Sequence, residues 1–119
     1  MHELSLSEAI AKVAVSHAGG RRVESVQVRV GALRQVVPDS LVFCWELACA
    51  QRPLLEGSRL EIEQVPGVVE CSDCGARATL TAFVLRCPAC DSGLVHVVQG
   101  EEFLVTSIEV ADEAAEVQG

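Results

Sequence analysis

Four of the six cysteines fall as two close pairs, Cys71-x2-Cys74 and Cys87-x2-Cys90, with twelve residues between them. Two such pairs at this separation have the spacing of a closed four-thiolate metal site. Each pair fits a tight turn that aims both sulfurs at one ion. Gly75 relieves strain where backbone N–H groups turn toward sulfur, and Pro88 pre-sets a turn inside the second pair. Four thiolates with no open position suit tetrahedral zinc at about 2.3 Å, in a site that stabilises the fold rather than performing chemistry. Iron held as in rubredoxin is the chemical rival, and two disulfides or four unconnected thiols are the plainer alternatives.

A second donor set stands at the N-terminus. Met1-His2-Glu3 offers an α-amine, a peptide nitrogen, an imidazole and a carboxylate within three residues. The amine, the His2 amide nitrogen and the His2 imidazole can close adjacent chelate rings around one ion, and Glu3 can add a further ligand. Such a nitrogen- and oxygen-rich set favours tetragonal Ni(II) or Cu(II) and suits a tetrahedral thiolate ion poorly. An α-amine titrates near about 7.7–8, so it yields its proton to a metal readily around neutral pH. Methionine removal generally requires a small second residue, so Met1 is expected to persist before His2. The plainer reading is a polar N-terminus ahead of the first helix.

Elements at both ends of the chain must position these groups. Residues from about Ser5 to about Ala18 read as an amphipathic helix, with Ser5 and Glu8 as a capping-box pair. Leu6, Ile10, Val13 and His17 recur along it at helical spacing, and Gly19-Gly20 stops it. From Val23 to Val30 the period drops to two, with Val26, Val28 and Val30 on one side and Ser25, Gln27 and Arg29 on the other. A second helix runs from about Asp39 to about Cys49, capped by Asp39 or Ser40, with Leu41, Trp45 and Ala48 on one face. Strands follow over Arg59–Val65, ended by Pro66-Gly67, and over Phe103–Val110, with Thr79–Leu85 extended between the cysteine turns. The fold class is therefore α+β: two helices packed on a three-stranded sheet, with an inserted zinc-ribbon-like four-cysteine lobe. Residues 1–67 with 99–112 form the main domain, 68–98 the lobe, and 113–119 an acidic, disordered tail. The lobe is too small for a useful apolar core and is expected to need its metal to fold.

Composition narrows the partners. Half of the 119 residues are hydrophobic but only 3% are aromatic, so the core is built from Val, Leu, Ile and Ala. Nine basic against seventeen acidic residues leave a net charge of −8. Phosphate backbones need a basic footprint, which argues against nucleic acid. No apolar run approaches a membrane span, and the first residues are not a basic leader. The expected location is a reducing cytoplasm, where thiols stay available for metal.

Met1-His2-Glu3-Leu4, a helix, Val30-Gly31, Pro38-Asp39-Ser40-Leu41, the paired cysteine turns, and Gly100-Glu101-Glu102-Phe103 leading into Ile108-Glu109-Val110 occur in this order. In that order the chain resembles the hydrogenase nickel-incorporation metallochaperones, the HypA/HybF family, over residues 1–112. The resemblance implies a carrier, not an enzyme, that delivers Ni(II) to the apo large subunit of a [NiFe] hydrogenase. It implies work with a nickel-inserting GTPase, and in some organisms service to urease maturation, and it leaves monomer or homodimer open. It assigns transported nickel to Met1, His2 and Glu3, and structural zinc to Cys71, Cys74, Cys87 and Cys90. Asp39 sits where the family carries an acidic residue near the nickel, although a helix cap explains it equally well.

The chain departs from that pattern where Asp91, not Gly, follows the last cysteine; Asp still tolerates a left-handed turn. Cys44 and Cys49 lie outside the motif and read as packing residues, His17 as a core or helix-end histidine, and His96 as a follower of the lobe. No phosphate-binding G-x4-G-K-[ST] loop exists, so nucleotide hydrolysis belongs to a partner. Two other classes remain: a zinc-ribbon interaction or transcription module, and a rubredoxin-like electron carrier.

Overall fold

The computed structural model describes residues 3–80 and 84–111. Met1, His2, the acidic tail at 113–119 and the middle of the stretch expected to be extended between the cysteine turns lie outside the described residues. In chain order the elements are α1 (Glu3–Ala18), β1 (Val23–Gly31), α2 (Pro38–Cys49), β2 (Arg59–Val65), β3 (Val68–Cys71), β4 (Arg77–Thr79), β5 (Val95–Gln99) and β6 (Phe103–Val110). Short 3-10 turns at Ala32–Arg34 and Pro53–Leu55 flank α2. The strands make two three-stranded sheets, ordered β2-β1-β6 and β4-β3-β5. The described residues of Met1–Val28, Val36–Glu63 and Leu104–Gly119 form one compact unit, and those of Arg29–Gln35 and Gln64–Phe103 form a second.

In the first unit α1 and α2 pack on each other. The face that α1 buries is Ser7, Ile10, Ala11, Ala14 and Ala18; of the Leu6–Ile10–Val13–His17 stripe expected from hydrophobicity, Ile10 alone belongs to it. Val13 and His17 are exposed. Small side chains win because helices approach closely only where little side chain stands between them, and Ala also has the highest helix propensity. Ser7 Oγ donates to the Leu41 carbonyl of α2 at 3.3 Å, so the one polar residue in the stripe is satisfied. The capping box is not formed: the helix already includes Glu3, which places Ser5 inside it, and Glu8 instead pairs with Arg52 at 2.7 Å.

The expected face of α2 holds: Leu41, Trp45 and Ala48 are buried together with Cys49. Its cap does not. The N-cap residue is Val37, Pro38 occupies the first turn, and neither Asp39 nor Ser40 caps. Pro is well suited there because its missing N–H is one of the donors the helix leaves unpaired. Buried Trp45 satisfies its indole N–H on the Ser58 carbonyl at 3.1 Å. Val26, Val28 and Val30 of β1 are buried as their alternation predicts, and so are Val23 and Ser25. Burial of Ser25 is compensated by a 2.6 Å hydrogen bond to Glu109 on β6 and a 2.9 Å bond from Gln27.

The second unit is tied by backbone contacts at two glycines. A Cβ on Gly31 would lie 2.0 Å from the Gly100 carbonyl oxygen, and one on Gly100 would lie 2.6 Å from Gly67 Cα. Around this crossing the Gly31 N–H bonds the Glu102 carbonyl at 2.7 Å and the Leu33 N–H bonds the Gly100 carbonyl at 2.9 Å. In the second sheet β3 is central and antiparallel to both neighbours, with Glu70 opposite Arg77 on one side and His96 on the other. Among the described residues the buried apolar side chains of this unit are Val30, Val65 and Val69 with Cys71 and Cys87.

The alanine stripe makes a checkable statement about the first unit. Ala14→Leu adds bulk at a site with no exposure and should destabilise this unit by about 1–3 kcal/mol. Urea unfolding followed by the fluorescence of Trp45, the single tryptophan, measures it. Unchanged or increased stability would show that the small residues do not set the helix approach.

Candidate metal centres

The sulfurs of Cys71, Cys74, Cys87 and Cys90 lie within 4.8 Å of one another. The Cys71–Cys90 and Cys74–Cys87 separations are both 3.6 Å. A disulfide would need about 2.05 Å, so these are not bonded pairs. A tetrahedron of sulfurs about 2.3 Å from a central ion has edges of about 3.8 Å, so the spacing fits a metal-centred cluster.

The two cysteine pairs sit on matching turns. In the first, the Asp73 and Cys74 N–H groups point at Cys71 Sγ at 3.3 and 3.5 Å, and the Gly75 N–H closes onto the Cys71 carbonyl at 2.9 Å. In the second, the Ala89 N–H points at Cys87 Sγ at 3.4 Å, and the Asp91 N–H closes onto the Cys87 carbonyl at 2.7 Å. The closing residues are left-handed, Gly75 at φ 76° and Asp91 at φ 62°. A non-glycine residue there is strained, and Arg86 offsets this by gripping Asp91 at its carboxylate and its carbonyl, each at 2.9 Å. The same guanidinium holds the Asp91 carboxyl below its ordinary range. That contact is therefore in force above the ordinary carboxylate pKa and fades as pH falls through the depressed one. Ser92 Oγ, bonded to Asp73, joins the two turns.

Electrostatics point the same way. The Cys90 and Ala89 N–H groups, together with hydrogen bonds from neighbouring sulfurs, lower Cys87 to about 7 against the opposing effect of burial. At Cys90 the Ser92 N–H pulls downward, but Cys71, burial and the other sulfurs outweigh it and leave the thiol at about 12. One thiolate forms readily and the last resists, as expected of four sulfurs sharing one volume with no cation among them. A divalent ion removes that resistance, so the donor set fits a resident metal. Cys71 and Cys87 are buried and Cys74 and Cys90 exposed, with no open coordination position implied for a substrate.

Of the N-terminal donors, Met1 and His2 lie outside the described residues. Glu3 is half-buried, and its Oε2 accepts the Val37 N–H at 3.2 Å. Asp39 is exposed in the first turn of α2. His17 is an end-of-helix histidine, with Nδ1 2.9 Å from the Val13 carbonyl. His96 does not trail the lobe but belongs to its sheet, on β5, with Nε2 3.1 Å from Glu70. The short apolar run after Gly93 was the sequence signal for that strand. Cys44 is half-buried, while Cys49 is buried and its thiol pushed up to about 11 by that burial, as expected of a packing residue. Among the described residues no helix is long and apolar enough to cross a membrane.

Comparison with known proteins agrees over almost the whole chain. Residues 1–110 match the family described as hydrogenase/urease nickel incorporation, metallochaperone, HypA. The hydrogenase maturation factor HypA of Geobacter metallireducens is 44% identical over 110 residues, covering 92% of this chain and 99% of the relative. That of Chloroflexus aurantiacus (strain J-10-fl) is 42% identical over 113 residues, covering 92% and 98%. The solution structure of the Ni metallochaperone HypA from Helicobacter pylori shares the fold, with a TM-score of 0.66 at 24% identity over 92% of this chain and 97% of that one. With the paired helices, the two small sheets and the four-sulfur cluster already established, the chain belongs to the HypA family of nickel-incorporation metallochaperones that serve hydrogenase maturation.

Proposed function

We infer that this chain binds Ni(II) through its N-terminal residues and passes it, with a nickel-inserting GTPase, to the apo large subunit of [NiFe] hydrogenase, while zinc in the four-cysteine cluster holds the second unit folded. The observation that carries the reading is the difference between the two donor sets. The clustered sulfurs form a closed, soft, tetrahedral environment, which retains its ion. Met1, His2 and Glu3 are short, terminal and rich in nitrogen and oxygen, and a carrier needs such a set to load and release a tetragonal ion. Asp39 is a further carboxylate available to that ion. Chemistry of this kind requires a reducing cytoplasm, and urease maturation proteins are further candidate recipients.

No nucleotide-binding loop is present in the sequence, so the energy for transfer comes from the GTPase partner. The rival readings are weaker. A rubredoxin-like carrier would have no use for the N-terminal donors, and a transcription module would have to bind phosphate with a net charge of −8.

Zinc is tested at the most exposed ligand. Cys74 is exposed, so Cys74→Ala removes a ligand with little loss of packing. The variant should lose stoichiometric metal and the amide dispersion of the second unit, while the first unit keeps its own apolar core. A variant that still holds one tightly bound zinc would remove the four-cysteine assignment. The metal should also leave on acidification, because protons compete with it for the four thiolates.

Nickel is tested at the N-terminus. His2→Ala should abolish specific nickel binding and hydrogenase activation without altering the fold. One residue added before Met1 should do the same, because it displaces the free amine from the first chelate ring. Affinity should fall as pH drops through about 7.7–8 and then about 6.5, the ordinary values of an α-amine and an imidazole. Calorimetric titration of wild type, His2→Ala and the extended form at one pH decides the matter, and equal affinity in all three would place nickel elsewhere.

A further inference from the structure

The two cysteine turns share one hydrogen-bond pattern and differ chemically at the residue that closes them. In the first that residue is Gly75 at φ 76°, and nothing lies within 4 Å of where its Cβ would stand. In the second it is Asp91 at φ 62°, a conformation that glycine takes freely and a side chain resists. The second turn also carries a clasp. Arg86, directly before Cys87, reaches Asp91, directly after Cys90. Its Nε donates to the Asp91 carboxylate and its Nη2 to the Asp91 carbonyl, each at 2.9 Å.

The carbonyl contact is the informative half. The Asp91 carbonyl and the Ser92 N–H belong to one planar peptide, so a grip on the oxygen fixes the direction of the hydrogen. That N–H is a backbone donor to the Cys90 sulfur. Ser92 is already held elsewhere: its carbonyl accepts the Cys87 N–H at 2.9 Å, and its Oγ donates to Asp73 and accepts the Leu94 N–H at 3.0 Å. The joint left to set this peptide is Asp91. Cys90 is exposed, so it is a ligand that water or a chelator can reach, and donors to a ligating atom help to keep it in place. The Arg86 and Asp91 side chains are 54% and 82% exposed, so their charge attraction alone is weak and the geometry of the clasp decides its effect.

We propose that Arg86 is a positioning residue for the ion of the four-cysteine cluster: it holds the Asp91–Ser92 peptide with the Ser92 N–H on the Cys90 sulfur and so slows loss of zinc through that exposed ligand. The proposal rests on the zinc reading above. It makes Arg86 and Asp91 a matched pair. The clasp is needed because the closing residue has a side chain, and it would be dispensable beside a glycine.

Lysine keeps the charge of Arg86 but not the fork that spans carboxylate and carbonyl, and glutamine keeps neither, which separates charge from positioning. The experiment uses the full-length, zinc-loaded protein and follows zinc transfer to a chelator in excess, together with amide hydrogen exchange at Ser92. It compares wild type, Arg86→Gln, Arg86→Lys, Asp91→Gly and the Arg86→Gln/Asp91→Gly double variant. Zinc should leave about fivefold faster in Arg86→Gln and nearly as fast in Arg86→Lys, with Ser92 exchange rising in both. Asp91→Gly and the double variant should stay within about twofold of wild type, because glycine closes the turn without help. Should Arg86→Gln hold no zinc at all, the double variant should regain it. Unchanged zinc loss in Arg86→Gln, or a loss that Asp91→Gly does not relieve, would overturn the proposal. Wild-type retention in Arg86→Lys would reduce the role to charge and overturn it as well. Unchanged Ser92 exchange in Arg86→Gln would do the same for the positioning. Wild-type protein that holds no stoichiometric zinc would instead sink the zinc reading, and the proposal with it.

Discussion

Four sulfur atoms within 4.8 Å of one another cannot all be thiolates unless a cation sits among them, and the second unit depends on that constraint. Among the described residues its buried apolar side chains are Val30, Val65 and Val69 with two of the cysteines themselves, and burial on that scale does little to offset the entropy of ordering the surrounding chain. The matched turns, the N–H groups aimed at sulfur and the Arg86 grip on Asp91 prepare the cluster geometry. They do not remove the mutual repulsion that leaves the last thiol at about 12. A divalent ion would, and with the zinc proposed above folding of this unit and metal binding would be one event.

The first unit solves its stability differently. Alanines on α1 let α2 approach, Trp45 of α2 is buried, and the buried polar groups of the stripe and strand have partners: Ser7 on Leu41, Ser25 on Glu109, the Trp45 indole on Ser58. Among the described residues this unit holds no cluster of metal ligands. In the proposed arrangement one unit holds its core without metal and the other needs the ion proposed to stay.

Much of this was legible in the sequence, for identifiable reasons. Period-two valines mark β1 because a half-buried strand has little other use for alternation, and Leu41, Trp45 and Ala48 mark the face of α2. The cysteine spacing located the cluster because two-residue gaps allow little except a turn with both sulfurs inward. The inner face of α1 was misread because hydrophobicity ranks Leu6 and Val13 above Ala11 and Ala14, whereas close helix contact selects for size. The cap of α2 was missed because its acceptor is Glu3, distant in sequence, and local cap rules see only Asp39 and Ser40. Membership of Arg29–Gln35 in the second unit was invisible for a similar reason: it follows from glycine backbones meeting at Gly31 and Gly100, and a glycine announces permissiveness, not its partner.

The central claim is that one chain keeps two ions apart by donor chemistry. X-ray absorption at the nickel and zinc edges of protein loaded with one equivalent of each tests it most directly. The account predicts a zinc shell of four sulfurs at about 2.3 Å, unchanged by nickel, and a nickel shell of nitrogen and oxygen alone. Sulfur in the nickel shell, or release of zinc in step with nickel uptake, would contradict it.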